Sequence, residues 1–372
     1  MNEFFISIFF LFIVFIGAAA FSAKTKKANF SSYFLNLEME YIVIGILVYL
    51  INLKFFNTTL QNTTTTFIGI TLSFMGMLIG TQFKYKILKK IPGSFWKYIC
   101  YTYISGFVLI YLVFYLMGYE TPYLYAIIIN TGMPYSLNLF ARLFRIGISK
   151  YFNSMLVLSI YPAITLAHYT VYFYISNGDT PYRFLSLLWL IVFLFIIKEY
   201  GKQQSRKMFN TMCVILMYTI SGLSIYLMVS PIALGFISGI IASNFTFGDI
   251  FTNFYKSFER FFYLFIYMIL GFFVVMHGTF LPKDILTAFL ITGILFIMRN
   301  IAFQRQFKKM ESNRVEVQAI TTIGVLPGFL IFDHLFITFS LSSLAIVNIF
   351  LLIYILTEIL NYRTLINETE KH

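Results

Sequence analysis

Charge and cysteine are scarce in this 372-residue sequence. Charged residues make up only 11% of it and there are two cysteines, whereas 59% of the residues are hydrophobic and 20% are aromatic. A soluble domain of this length would not hide so much apolar surface, so the composition excludes a soluble globular protein. Cys100 and Cys213 stand inside apolar segments without metal-like spacing. We expect two small buried side chains there, not a metal site.

Positive charge is nearly absent from every second connection between the apolar segments. Of the 27 Lys and Arg residues, 24 fall in alternate connections, and the intervening ones hold only Lys54, Arg183 and Lys283. Basic loops stay on the cytoplasmic side of a membrane. The pattern therefore predicts an integral membrane protein, in a bacterial inner (plasma) membrane, with its N-terminus outside and its C-terminus in the cytoplasm. The net charge of +12 then faces anionic membrane lipids, and nucleic acid is not an expected partner.

Thirteen transmembrane spans are predicted from the hydrophobic runs. They cover residues 4–22, 39–53, 64–83, 98–118, 122–144, 152–176, 183–199, 208–229, 231–245, 259–277, 284–302, 316–336 and 340–361. Most are close to the roughly 20 residues that a helix needs to cross about 30 Å of hydrocarbon. The first span has no positive charge before it, so we expect a retained anchor and not a secretory signal. Tyrosines such as Tyr101, Tyr103, Tyr172 and Tyr174 are assigned to interfacial belts.

Thirteen spans predict an all-α polytopic fold of two inverted six-helix repeats. We expect one integral membrane domain over residues 1–372. It contains repeat one at about 4–176, a linker helix at 183–199 and repeat two at about 208–361. Because one span separates the repeats, they enter the membrane in opposite orientations. Inverted repeats of this kind are a frequent plan for secondary transporters.

Helix breakers occur at corresponding places in the two repeats. Span five contains the sequence NTGMP at 130–134, and span twelve contains GVLPG at 324–328. Gly and Pro inside a spanning helix free backbone groups, which lipid tolerates only where they meet protein, water or an ion. Matched positions favour a pair of discontinuous helices that meet at a mid-membrane site. Two ordinary proline kinks are the alternative.

Four short stretches resemble the monovalent cation:proton antiporter superfamily, which includes the sodium/proton exchangers. They are GMLIGTQFK at 76–84, LGFISGIIASN at 234–244, IMRN at 297–300 and LPG at 326–328. The resemblance implies a core of the spans at about 98–176 and 284–361 that moves as a rigid body, while the other spans form a homodimer interface. It also implies a monovalent cation and a proton as substrates, without a cofactor. The spacings Gly76/Gly80 and Gly235/Gly239 suit close helix packing, although glycine is frequent in membrane helices anyway.

The acids that this family places in span six are missing. Tyr161 and Pro162 stand where the resemblance implies an acid, and no Asp or Glu lies between Glu120 and Asp179. An embedded carboxylate serves antiport because it binds either a cation or a proton. The chain therefore resembles a divergent member that lacks the usual coupling groups.

The candidate ion path consists of residues at the two breaks and of ionisable or polar groups within the spans. They are Asn130, Thr131, Gly132, Tyr161, His168, Arg299, Gly324, Pro327 and Asp333. His168 either shuttles a proton or is a neutral hydrogen-bonded side chain. Asp333 is either a functional buried acid or the end of a helix at the outer interface. Arg299 either balances charge at the site or extends to the inner face. We expect no catalytic residue and no metal ligand.

Transport is the function that these patterns favour. We expect exchange of sodium or potassium against protons, by alternating access at a mid-membrane site, and no enzyme activity. Two alternatives stay open. One is a membrane-embedded glycan polymerase or acyltransferase, since such chains are similarly basic and aromatic-rich. The other is a non-transporting scaffold on the antiporter fold.

Overall fold

Every secondary-structure element that the computed structural model describes is helical. The described residues are 41–43, 45–46, 59–81, 83–89, 93–131, 152–176, 181–201, 206–276, 281–307, 326–338 and 345–369. The prediction of an all-α fold is therefore confirmed. The predicted span at 4–22 lies outside these residues, and the span at 39–53 is described only in part.

The described helices agree closely with most of the predicted spans. In chain order they are α1 (Thr59–Gly80), α2 (Tyr85–Leu88), α3 (Gly93–Leu116), α4 (Pro122–Ile129), α5 (Phe152–Ser176), α6 (Pro181–Gly201), α7 (Arg206–Leu227), α8 (Pro231–Ser243), α9 (Gly248–Met276), α10 (Pro282–Phe307), α11 (Leu326–Thr338) and α12 (Ala345–Thr369). A clear difference is at α9, which begins eleven residues before the predicted span at 259. Its first turns carry polar residues such as Asp249 and Lys256, which a search for apolar runs leaves out.

Helix length separates two groups of apolar segments. The stretches Ile99–Leu116 in α3 and Met208–Leu227 in α7 are long and apolar enough to cross a membrane. Other apolar stretches are shorter, including the 13-residue helices α8 and α11. A helix of that length covers about 20 Å, less than the roughly 30 Å of hydrocarbon. In the membrane, the ends of α8 and α11 therefore need polar partners within the protein.

The chain forms two compact units. The first contains residues 1–68 and 260–279. Within it, a Cβ atom on Gly271 would lie 2.0 Å from the carbonyl oxygen of Ile42, so the two backbones touch there. The rings of Phe67 and Phe265 also pack in this unit, with centroids 6.3 Å apart. The second unit contains residues 69–259 and 280–372, and the candidate ion path lies in it.

Helix α8 is central to the second unit. It packs against α5, α6, α7 and α11, and ten of its thirteen residues are buried. A second group forms around α10, which packs along α3 and α12. Helix α4 contacts α3, α5 and α11. The short helices α4, α8 and α11 are thus held by protein on several sides.

Four glycines bring α1 and α8 into backbone contact. A Cβ on Gly76 would lie 2.2 Å from the Ile232 carbonyl oxygen, and one on Gly80 would lie 2.3 Å from that of Phe236. Conversely, a Cβ on Gly235 or Gly239 would lie 2.2 or 2.3 Å from a carbonyl oxygen of α1. No side chain fits at such distances. The two spacings therefore serve close packing within one protomer.

Polar contacts fasten the loops at both ends of α3. On the side where α3 begins, Asn244 donates to the Phe83 carbonyl oxygen at 3.1 Å and accepts from the Tyr85 amide at 3.0 Å. Lys84 forms an ion pair with Asp249 on the same side. On the side where α3 ends, Tyr119 donates to Asp284 at 2.7 Å. These contacts tie α1 to α8 and α9 at one end, and α3 to α10 at the other.

The two cysteines differ in their surroundings. Cys213 is buried, as expected, and its carbonyl oxygen accepts a hydrogen bond from the Tyr255 hydroxyl at 3.1 Å. Cys100 is exposed, so the prediction that it is buried is wrong. In a helix that is apolar on all sides, the pattern does not reveal which face turns away from the protein.

Candidate ion-binding site

Helix α4 ends in the middle of its hydrophobic run, at the first predicted break. Its last helical residue is Ile129, and Asn130 is its C-cap, with the backbone amide donating to the Ala126 carbonyl oxygen. The Thr131 amide turns back to the Ile129 carbonyl oxygen at 2.7 Å. Gly132 lies outside the described residues. The C-terminal end of a helix carries partial negative charge, which favours cations.

Helix α11 begins at the second predicted break. Its first residue is Leu326, and Pro327 lies in the first turn, where its missing amide hydrogen costs little. Gly324 lies outside the described residues. Helix α11 packs against α4, so the two helices that adjoin the predicted breaks are neighbours.

Neutral side chains surround Asn130. Its amide nitrogen donates to the Tyr103 carbonyl oxygen at 2.8 Å, and its amide oxygen accepts from the Tyr161 hydroxyl at 2.9 Å. The Thr165 hydroxyl donates to the Asn130 carbonyl oxygen at 3.0 Å. Asn130 and Thr165 are completely buried, and Tyr161 is 5% exposed. We call Asn130, Tyr161 and Thr165 the Asn130 centre; it is a cluster of oxygen atoms without a formal charge.

Tyr161 has a definite role at the position where the resemblance implies an acid. Its hydroxyl satisfies the amide oxygen of Asn130, so a neutral donor stands beside the end of α4. Thr131, the residue after Asn130, is also completely buried. The oxygen atoms here suit a weakly hydrated monovalent cation better than a divalent one, which usually demands carboxylates.

Asp333 is a residue of α11, and its side chain is buried within the protein. One of its carboxylate oxygens accepts from the Tyr169 hydroxyl at 2.8 Å and from the Ser230 hydroxyl at 2.6 Å. The other accepts from the Ile232 amide at 3.0 Å. Asp333 is 0% exposed, and α11 continues beyond it to Thr338, so it is not the end of the helix; its depth in the membrane stays a prediction. The carboxylate lies at the N-terminus of α8, where the helix dipole favours a negative charge.

His168 connects two tyrosines. Its Nδ1 atom lies 2.8 Å from the Tyr103 hydroxyl, and its Nε2 atom lies 2.8 Å from the Tyr123 hydroxyl. The ring of Phe107 packs against it at 5.1 Å. A phenol hydroxyl can donate or accept, so both neutral tautomers and the protonated ring are satisfied in this place.

For Arg299 the structure describes only the backbone. It belongs to α10, and its side chain is outside the described part of the chain. Its two predicted roles, at the site or at the inner face, therefore stay predictions.

Sequence analysis missed four residues of this region: Tyr103, Tyr123, Tyr169 and Ser230. Tyr103 was assigned to an interfacial belt, but it is only 7% exposed and bonds to His168, so that assignment is wrong. Ser230 could have been found, because Ser followed by Pro is a typical helix start and its hydroxyl does accept from the Ala233 amide. The tyrosines gave no such signal in a chain with 27 of them.

Comparison with known proteins finds similarity in fold but not in sequence. No protein-family model matches the chain, and no curated protein matches it. Among solved structures, the sodium proton antiporter MjNhaP1 from Methanocaldococcus jannaschii at pH 8 is similar in fold. The TM-score is 0.56 at 13% sequence identity, with 87% of this chain and 92% of that chain covered. The chain is thus an all-α polytopic membrane protein with an antiporter-like fold.

Proposed function

We propose that this chain is a membrane transport protein that exchanges a monovalent cation, sodium or potassium, against protons at the Asn130 centre. The observation that carries the proposal is the C-terminal end of α4. It stops inside the protein, next to α11, and three neutral oxygen-bearing side chains converge on it. Alternating access of this centre to the two sides of the membrane is the mechanism that the antiporter-like fold favours.

Electrostatics favour a cation over an anion at this place. The Asn130 centre lies at the C-terminal end of α4, where the helix dipole is negative, and the Tyr161, Thr165 and Asn130 side chains add oxygen atoms. Because the centre has no carboxylate, its attraction for a cation is weaker than that of a charged site. We therefore expect low apparent affinity and a preference for a monovalent ion. The homodimer, the inverted repeats and the bacterial inner membrane stay predictions.

Flux measurements on purified protein in liposomes test the proposal. Tracer sodium and tracer rubidium, as a substitute for potassium, report cation movement, and a trapped pH dye reports proton movement. We expect uptake of at least one cation together with proton efflux. Asn130→Ala and Thr165→Val should each lower cation uptake by about 10-fold, because each removes an oxygen ligand.

Asn210→Ala provides the matched control. Asn210 lies on α7 and is partly exposed, so its replacement should leave uptake unchanged. Absence of movement of sodium, rubidium and lithium in the wild-type protein would overturn the proposal and would favour a non-transporting role on the same fold.

A further inference from the structure

The arrangement around His168 offers a route for the proton that does not need a carboxylate. Tyr123 is 40% exposed and is the second residue of α4, whereas Asn130 follows the last residue of that helix. Eight helical residues cover about 12 Å. His168 contacts the Tyr123 hydroxyl with one ring nitrogen and the Tyr103 hydroxyl with the other, each at 2.8 Å. The three side chains form a continuous hydrogen-bonded row.

Tyr103 joins this row to the Asn130 centre. Its backbone carbonyl accepts from the Asn130 amide at 2.8 Å. Its ring packs edge-on against Tyr161, with centroids 5.5 Å apart. The same residue therefore touches His168 with its hydroxyl and the proposed cation site with its backbone and ring.

We propose that His168 is the proton-carrying group of this protein, with Tyr123 connecting it to the exposed side and Tyr103 to the Asn130 centre; this rests on the proposed function. Neutral His168 takes a proton on its free ring nitrogen from one tyrosine, which is replenished by water. The resulting imidazolium releases its other proton through the second tyrosine to water in the opened centre. One proton enters and one leaves, and the ring returns to its neutral form with the tautomer exchanged.

Charge repulsion then couples the two substrates. A protonated imidazole next to the Asn130 centre repels a cation, so the centre holds a cation only when His168 is neutral. In a carboxylate antiporter the two substrates compete for one group. Here the cation occupies the Asn130 centre and the proton occupies His168, and each disfavours the other because both are positive. The protein therefore carries one or the other, which gives exchange.

The surroundings of His168 contribute few other titratable groups. Helix α3 presents Tyr103 and Phe107, α4 presents Tyr123, and α8 contains no ionisable residue in its thirteen positions. Asp333 of α11 bonds to the neighbouring Tyr169. Among the described residues in contact with His168, none is a carboxylate, a lysine or a second imidazole.

Separate measurement of the two fluxes tests this assignment. In liposomes, tracer self-exchange of the cation needs no net proton movement, whereas dye quenching after a cation pulse does. We expect His168→Gln to lower cation-driven proton flux at least about 10-fold and to remove the pH dependence of self-exchange between about pH 5 and 7. Gln can bond to both tyrosines, so packing is preserved. Tyr123→Phe should also slow proton flux, and it covers the case in which His168→Gln does not fold.

Tyr115→Phe is the control, because Tyr115 lies on α3 at the exposed surface and should leave both fluxes unchanged. The relay is overturned if His168→Gln and Tyr123→Phe exchange cation and proton at the wild-type rate and with the wild-type pH profile. In that case the proposed function still stands, because the wild type moves both substrates. If the wild type shows no cation self-exchange, both proposals fall.

Discussion

The carboxylate of Asp333 accepts a hydrogen bond from the Ser230 hydroxyl at 2.6 Å, which joins α11 to the start of α8. The same carboxylate accepts from the Ile232 amide, so it satisfies a free backbone donor at that helix end. Tyr169 of α5 supplies a third hydrogen bond. Each of these three donors, and the helix N-terminus, is satisfied by a carboxylate oxygen. These contacts explain Asp333 as an anchor between α5, α8 and α11.

Removal of the Asp333 carboxylate should destabilise the protein strongly. Asp333→Ala leaves three buried donors without an acceptor, and we expect a loss of about 2–3 kcal/mol in the free energy of unfolding. The melting temperature in detergent measures it. Asp249→Ala is the matched control, because the Asp249 side chain is 91% exposed and its ion pair contributes little. Equal melting temperatures for the two variants would contradict the anchor.

A methyl group at the crossing of α1 and α8 should force the two helices apart. Gly235→Ala places a Cβ 2.2 Å from the Ser73 carbonyl oxygen, which a rigid backbone cannot avoid. We expect about 1–3 kcal/mol of destabilisation, measured by thermal unfolding. Gly222→Ala is the control, since no atom lies within 4 Å of a Cβ there and alanine favours the helix. The close crossing is refuted if Gly235→Ala melts at the wild-type temperature.

The sequence predicted the helices well because lipid requires long apolar runs, and such runs are visible without a structure. Span 152–176 corresponds residue for residue to α5, and the break predicted at Asn130 does coincide with the end of α4. The close packing of Gly76, Gly80, Gly235 and Gly239 was one of the two alternatives that their spacing left open. In the first two cases one local pattern determines one local structure.

The partners of the polar residues could not be predicted in the same way. Hydrogen bonds such as Tyr169 to Asp333 and Ser230 to Asp333 join residues that are 164 and 103 positions apart. Which tyrosines turn inward depends on helix rotation, and a helix that is apolar all round gives no sign of it. Tyr103 and His168 were therefore recognised as neighbours only in three dimensions.

An acid introduced at Tyr161 should strengthen cation binding at the Asn130 centre. Tyr161→Asp introduces a carboxylate on the helix position that faces Asn130, set back from the phenol oxygen by the length of the ring, and we expect its attraction for a cation to exceed the cost of burial when a cation is present. We expect about a 10-fold lower half-saturating cation concentration in liposome uptake. Tyr161→Asn is the control, because it has nearly the same size as Asp without the charge. The same gain in both variants would show that space, not charge, is responsible.

The Tyr119 hydroxyl should contribute measurably to the attachment of α3 to α10. It donates to Asp284 at 2.7 Å, and the Lys283 ammonium lies 4.1 Å from the centre of its ring. Burial raises the pKa of Tyr119, so the hydroxyl stays protonated and keeps donating. Tyr119→Phe leaves the buried Asp284 with one donor fewer, and we expect about 1–2 kcal/mol of destabilisation. Tyr115→Phe, at an exposed position of α3, should have no effect on the melting curve.

Cysteine labelling in intact cells should determine the orientation in the membrane. In a Cys100→Ser, Cys213→Ala background, Lys283→Cys and Asp249→Cys place thiols near opposite ends of the helix bundle, at positions that are both exposed. Lys84, the partner of Asp249, stands in one of the alternate connections that hold 24 of the 27 basic residues of the sequence, so we expect its side to face the cytoplasm. A membrane-impermeant maleimide should therefore label Lys283→Cys in intact cells and Asp249→Cys only after permeabilisation. The reverse result would invert the orientation and with it the side from which Tyr123 receives protons.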